Sequence, residues 1–233
     1  MRIVILQPGY IPWLGFFDQL HRADIFVVYD DVQYTRRDWR SRNRIKAHSG
    51  EHWLSVPVKN HGKFDQLIKD AEIDYSQKWT RKHLGAISTY YKQAPFFEEY
   101  FPQLESLLNS SPKLLLELDL QLIKECAQWL GITTPLVLAS TLNAEGRSSE
   151  RLISICKKLA ATDYLTGKAA QSYLDEKLFS EAGITVEYHE YAHPRYRQLH
   201  GEFIPYMSVI DLLFNHGLES LPILTGRVKI DEV

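Results

Sequence analysis

Cysteine is almost missing from this chain. Cys126 and Cys156 are the only two in 233 residues, and each lies inside an amphipathic helical pattern. So thin a supply argues against a disulfide scaffold or a thiolate metal site and points to two buried thiols in a reducing compartment. Long apolar runs are missing too, and none approaches the roughly 20 residues needed to cross a bilayer. The N-terminus has no basic segment and reaches Gln7-Pro8 after four apolar residues, so no signal peptide is expected. A P-loop is also lacking, because Gly167-Lys168 has no glycine at the required upstream spacing. Repeats, low-complexity tracts and Gly/Ser linkers are absent. Neither sign of charge dominates. The formal net charge of −2 argues against a general DNA binder and leaves room for a local basic patch. These absences together predict a cytoplasmic protein with no membrane insertion.

Aromatic residues, in contrast, are plentiful: 13 Tyr, 10 Phe and 5 Trp, many of them beside Arg, Asn or Gln. Such side chains join a large contact face to a polar handle, which suits both cores and ligand pockets. Arg2–Leu6 reads as a buried strand, Gly15–Ala23 as a short helix and Ile25–Asp30 as a second strand, forming one βαβ unit. A polar, basic stretch follows from Val32 to Lys46. A strand is expected at Trp53–Val58, a loop at Lys59–Asp65 and an extended segment at Ile68–Ile73. Helices are predicted over Gln77–Tyr91, Pro95–Leu108 and Lys113–Leu130, the last with Ser111 as N-cap, Pro112 at its first position and Gly131 as C-cap. Strands at Leu136–Ala139, Tyr164–Thr166 and Ile184–Glu190 then alternate with helices at Ser149–Ala160, Ser172–Ala182 and Ser208–His216. The expected fold is α/β, a single Rossmann-like domain over 1–233 with about five parallel strands and helices on both faces. Its core is expected at 1–31 and 113–217, with an inserted segment at about 32–112.

Ligands of open parallel sheets bind outside the carboxyl ends of the strands. Residues that follow the predicted strands are therefore the candidates. They are Gln7, Tyr10 and Trp13; Asp30, Asp31 and Gln33; Ser140, Thr141 and Asn143; Lys168 and Gln171; and Tyr191, His193, Arg195, Tyr196 and Gln198. Asp30-Asp31 could hold Mg²⁺ or a ribose, or could cap the turn. The run "YDDVQYTRRDWRSRNRIK" sets Arg36, Arg37, Arg40, Arg42, Arg44 and Lys46 around Trp39 and Asn43. Arginine forks bind phosphates, and Trp39 or Tyr34 could stack a base, so the run suits a nucleotide diphosphate or the end of an RNA. The competing account is a solvated segment paired to Asp30, Asp31 and Asp38.

His189, Glu190, His193, His200 and Glu202 are spaced poorly for a metal, and none is expected. His193 and His200 are instead candidate acids or bases. Ser172 with Asp175, and Ser208 with Asp211, read as helix caps before nucleophiles. Lys168 at a strand end could meet a phosphate. Phe16 and Phe17 are read as core.

Four stretches, "QPGYIPWLGFFDQLHRADIFVVYDDVQYTRRDWRSRNRIK", "WLSVPV", "YLTGKAAQSYLDEKLFSEAGI" and "YAHPRYRQLHGEFIPYMSVIDLLFNHG", resemble the WbqC-like protein family. Members typically sit among genes for surface polysaccharides, especially O-antigens carrying amino-dideoxy sugars. The resemblance implies transfer of an acyl group, such as glycyl, to the amine of a nucleotide-linked amino sugar. A glycosyltransferase or a non-catalytic binding subunit are the alternatives. The fold is also similar to the HUP superfamily of nucleotidylyl transferases and adenylate-forming ligases. Their His-x-Gly-His is replaced here by Tyr10-Ile11-Pro12-Trp13, which argues against ATP and leaves a charged tRNA as a possible donor. In that mechanism His193 or Asp31 would take the amine proton, and Gln7, Tyr10 or Asn43 would steady the oxyanion. Arginines Arg36 to Arg44 would hold phosphates, while Trp13, Trp39 and Tyr196 would bound the pocket.

Overall fold

The computed structural model describes residues Met1–Val228. Its strands and helices in chain order are β1 (Arg2–Leu6), α1 (Leu14–Arg22), β2 (Ile25–Val28), β3 (Arg42–Ala47), β4 (Gly50–Ser55), α2 (Trp79–Tyr91), α3 (Phe97–Asn109) and α4 (Leu115–Trp129). They continue with β5 (Leu136–Leu138), α5 (Ser148–Lys158), β6 (Asp163–Gly167), α6 (Glu176–Glu181), β7 (Thr185–His189), α7 (Val209–His216) and α8 (Ser220–Leu224). The architecture is α/β, with a five-stranded parallel sheet flanked by helices and ordered β5-β2-β1-β6-β7. No helix among the described residues is long and apolar enough to cross a membrane.

Two compact units emerge. The sheet unit comprises Met1–Pro8, Asp18–Val32 and Thr133–Tyr191. Along β1 and β6 successive side chains alternate between the two sheet faces. Ile3, Ile5, Val27 and Tyr164 form a buried cluster with Leu152, Ile155 and Cys156 of α5 and Phe179 of α6. Strands β1 and β2, central in the sheet, run as near-continuous apolar stretches, the usual pattern of parallel strands covered on both faces. The Cys156 thiol is buried there and pushed up to about 12 by desolvation, so it is inert packing.

The hairpin unit comprises Gly9–Phe17, Gln33–Ile132 and the chain from Ala192 onward. In it β3 and β4 pair antiparallel through a two-residue turn that Gly50 closes at φ +115. Its helices α2, α3, α4 and α7 bury Ile87, Tyr91, Phe97, Leu104, Leu108, Leu118, Leu122 and Phe214.

Several local expectations are corrected. The stretch from Val32 to Lys46, read as polar and basic with no strand assigned to it, contains most of strand β3. Its Asn43, Ile45 and Ala47 turn inward, while Arg42 and Arg44 lie on the outer face, and a strand patterned by charge shows no apolar alternation. Of the segment Ile68–Ile73, expected to be extended, Ile68–Asp70 form a 3₁₀ turn, while Glu72 and Ile73 make single bridges to Leu114 and Val58. Ser111 does not cap α4. It sits at φ +54, Leu114 is bridged to Glu72, and the helix starts only at Leu115, with the Glu117 carboxylate accepting the Leu114 N–H. Before α6 the chain from Lys168 to Ser172 is 3₁₀, and Asp175, not Ser172, accepts the N–H groups of Lys177 and Leu178. Ser208 precedes α7, but its hydroxyl caps nothing.

On α4, Asp119 is fully buried, and neither carboxyl oxygen meets a hydrogen-bond partner. Burial therefore holds its pKa far above the carboxylate range, and the folded state favours the protonated acid. A group raised on folding contributes its full stability below its unfolded pKa and loses it as pH climbs. Asp119→Asn, which does not titrate, is therefore expected to gain on the wild type above pH ~4, by up to ~1.4 kcal/mol per pH unit. Urea denaturation at pH 5 and pH 8 measures this, and an equal difference at both pH values would refute it.

Candidate functional site

The sheet order places the crossover of strand sequence between β1 and β6, where parallel α/β sheets form their ligand crevice. Gln7 stands at the end of β1, and its amide oxygen is buried without a protein partner. Gly167 ends β6 with open space where a side chain would lie, and the Lys168 ammonium after it pairs with Glu190 in solvent. Asp30 and Asp31, at the end of β2, are both engaged. Asp30 is 1% exposed and its carboxylate accepts the Ser140 N–H (2.9 Å) and hydroxyl (2.6 Å), so it fastens the β5 exit to the sheet. Asp31 pairs with Arg151 of α5. Both carboxylates are thus held by protein partners, Asp30 at the β5 exit and Asp31 on α5.

At the end of β7 lies a pair that sequence inspection did not single out. The His189 Nε2 is 2.6 Å from Asp18 Oδ2, and the Arg22 Nε donates to the same oxygen at 2.6 Å. Burial raises the Asp18 pKa, but the His189 and Arg22 contacts outweigh it and hold the carboxylate below its usual range. These residues are 171 positions apart in the chain, so no local spacing reports them.

The hairpin unit gathers most of the other candidates. Tyr10 is fully buried, its hydroxyl on His83 Nδ1 (2.9 Å), and desolvation raises the phenol while pushing His83 down to about 4. Asn43 donates its amide to the carbonyls of Tyr10 and Ile11, so it shapes the loop after Gly9. Gly9 fits there because a Cβ would come within 3.0 Å of the Trp39 carbonyl, the acceptor of the Tyr10 N–H.

Outward from this loop runs an aromatic and cationic face. Trp39 and Trp53, both more than 40% exposed, lie 5.5 Å apart. Arg42 stacks on Trp53 at 4.5 Å, and Arg44 reaches both indoles while pairing with Glu51 and touching the Tyr206 carbonyl. Tyr206 meets Trp13 and His193 edge-on, and Trp13 stacks with His193. Within the preceding turn, Asp38 accepts from Thr35, the Trp39 N–H and Arg40, which neutralises Arg40. Arg36 donates to the Asn60 carbonyl and lies over Phe64, while Arg37 sits at φ +53. Among the described residues no carboxylate pairs with Arg36, Arg37 or Arg42, and of these three Arg42 is the one seated on an indole.

Gln33 donates to the Phe64 carbonyl, and Arg195 lies over Phe203. His200 bonds the Tyr90 carbonyl and meets His48 at 4.0 Å between ring centroids. Tyr196 and Gln198 turn inward. Both donate to Asp211 (2.8 and 2.7 Å), which also accepts the Tyr91 hydroxyl at 2.7 Å. The Lys46 ammonium, buried nearby, donates to the Gly201 and Glu202 carbonyls. His193 has both ring nitrogens engaged, Nδ1–H to the Pro194 carbonyl and Nε2 to the Tyr206 N–H, and burial lowers its pKa. No group of three or more His, Cys, Asp or Glu residues suited to a metal occurs among the described residues.

The motifs that build this geometry run the length of the chain, and a model of the WbqC-like protein family matches residues 7–223. The chain belongs to the WbqC-like protein family. The uncharacterized protein Rv1507c of Mycobacterium tuberculosis is 40% identical over 221 residues, which cover 94% of this chain and 95% of that protein. No solved structure matches. Two chemically distinct surfaces thus characterise this WbqC-like protein. One is the strand-end crevice of the sheet unit, with an open glycine, an unpartnered amide and a His–Asp pair. The other is the arginine–indole face of the hairpin unit. Trp53 and Tyr206 escape sequence inspection because their roles depend on β3 pairing with β4 and on the 192–208 loop folding back to β3. Alternation of Glu51, Trp53 and Ser55 opposite Arg42 and Arg44 was the available signal.

Proposed function

We propose that this WbqC-like protein acts in surface-polysaccharide precursor synthesis, transferring an acyl, in particular an aminoacyl, group to the amine of a nucleotide-linked amino sugar. The observation that carries this reading is the crevice between β1 and β6, where Gln7 keeps a buried amide oxygen without a partner. An acceptor oxygen at the crossover of a parallel sheet suits a sugar hydroxyl or amine donor. Family membership supports the polysaccharide context. The arginine–indole face supports a second ligand that carries both phosphates and bases, because stacking and unpaired guanidinium groups are the means by which proteins hold single-stranded nucleic acid. A charged tRNA meets that description as acyl donor and needs no ATP site.

Mass spectrometry of a nucleotide amino sugar incubated with protein, amino acid and either ATP or charged tRNA tests the reading. A gain of one aminoacyl unit in the tRNA mixture is expected. Release of free nucleotide would favour glycosyl transfer, and no turnover in either mixture would favour a binding subunit. Gln7→Leu is expected to weaken nucleotide-sugar binding about 5-fold in calorimetry, from one lost hydrogen bond of ~1 kcal/mol. Arg42→Ala and Trp53→Ala are expected to leave that affinity unchanged and to weaken tRNA binding about 5- to 150-fold, since each stacked base contributes ~1–3 kcal/mol. Equal tRNA binding by wild type and both variants would refute the donor assignment.

A further inference from the structure

At the carboxyl end of β7, the edge strand next to β6, one histidine has the geometry of a proton acceptor. We propose that His189 takes the proton from the sugar amine and that Asp18 is its positioning residue, an assignment that rests on the acyl-transfer reading above. His189 ends β7 in register with Gly167, which ends β6. Register partners on parallel neighbours face the same side of the sheet. A Cβ at Gly167 would meet no atom within 4 Å, so the strand end in register with His189 has room for a ligand, while the His189 side chain itself is 7% exposed.

The orientation of the ring follows from its partner. The Asp18 side chain is 1% exposed, and its carboxylate is anionic and can only accept, so the shared proton belongs to His189 Nε2. Nδ1 then carries the lone pair, and it makes no hydrogen bond among the described residues. Tyr191 stacks on the imidazole with centroids 5.6 Å apart and holds its plane. His193 is the opposite case, because its Nε2 lone pair already receives the Tyr206 N–H.

In the step itself, the amine nitrogen attacks the carbonyl carbon of an aminoacyl ester. The N–C bond forms, the ester C–O bond breaks, the amine proton moves to His189 Nδ1 and is passed to the departing ester oxygen. Asp18 stabilises the imidazolium in between, as an orienting carboxylate does for a catalytic histidine.

Two variants test the assignment in the intact protein. His189→Gln keeps an N–H for Asp18 but has no base. It is expected to bind the nucleotide amino sugar as wild type does in calorimetry, while aminoacyl product formation falls 10²–10⁴-fold. Gly167→Val leaves the His–Asp pair untouched and fills the space beside it. At φ −68 the backbone accepts a side chain, so this variant is expected to fold and to lose turnover. Asp18→Asn is expected to lower kcat and to move the acid limb of the pH–rate profile to lower pH, a change that a merely structural ion pair would not produce. A folded His189→Gln with wild-type turnover overturns the proposal, as does full turnover by Gly167→Val should His189→Gln fail to fold. Failure of the wild type to form product with any donor overturns the acyl-transfer reading itself, and the base role with it.

Discussion

Asp211→Ala is expected to lower the unfolding free energy by about 3–5 kcal/mol, the usual cost of removing one partner from a buried charged network. Asp211 is completely buried on the first turn of α7, and three donors converge on it from Tyr91, Tyr196 and Gln198. Burial raises its pKa, and those three hydrogen bonds together with Lys46 oppose that shift. Truncation to alanine removes the carboxylate that three donors share in a dry interior, leaving the Gln198 amide only its bonds to the Ile204 carbonyl and the Tyr196 hydroxyl, and it takes away a negative charge that favours the Lys46 ammonium. Each unsatisfied group costs about 1–3 kcal/mol. Asp211→Asn keeps the shape and one acceptor oxygen, so a loss of only about 1–2 kcal/mol is expected. Because Gln198 also takes the Ile204 N–H, the alanine variant is expected to loosen the 192–208 loop, which amide hydrogen exchange would report. A urea midpoint for Asp211→Ala within the error of wild type would refute the account.

Gly15→Ala is expected to have the opposite sign from the one helix propensity assigns. Alanine inside a helix is favoured over glycine by about 1 kcal/mol, so an open site would gain stability. At Gly15 a Cβ would lie 2.2 Å from the Trp13 Cη2, an overlap no real contact tolerates. The indole lies across the glycine, stacks with His193 and meets Tyr206 edge-on, so the added methyl must drive it off that seat. The expected result is a net loss of about 1–3 kcal/mol, typical of an overpacked core, with a red shift of tryptophan emission as Trp13 becomes wetter. Trp13→Phe serves as the reference for its share of the emission. A stabilised Gly15→Ala with unchanged emission would show that the ring does not occupy this place.

Both expectations turn on contacts that sequence inspection read differently. Ser208 and Asp211 have the spacing of a helix cap, and that local signal is real, yet the Asp211 carboxylate is used by side chains up to 120 residues away. Tyr196 and Gln198 follow the last parallel strand and so qualified as ligand-facing residues, but their polar ends point to Asp211. Asn43 stood in the arginine run as a candidate oxyanion donor, and its amide is used to fasten the Tyr10–Ile11 backbone. In each case the residue type correctly announced a hydrogen bond. Its partner was set by how distant segments pack.

What the sequence by itself determined is the α/β class and its five parallel strands. Buried parallel strands must be short apolar runs rich in β-branched residues, and the helices between them must carry an apolar stripe, so both leave a periodic record. It also determined which residue types stand at the strand ends, among them Gln7 and Lys168, and that the chain belongs with the WbqC-like proteins. Only the tertiary structure decided which of those side chains remain available. Asp30 and Asp31 are taken up by Ser140 and Arg151, while Asp18 on α1 meets His189 on β7 beside a glycine that leaves room. That division has a physical cause. Periodicity is a property of neighbours in the chain, whereas availability depends on partners that only folding brings within hydrogen-bonding distance.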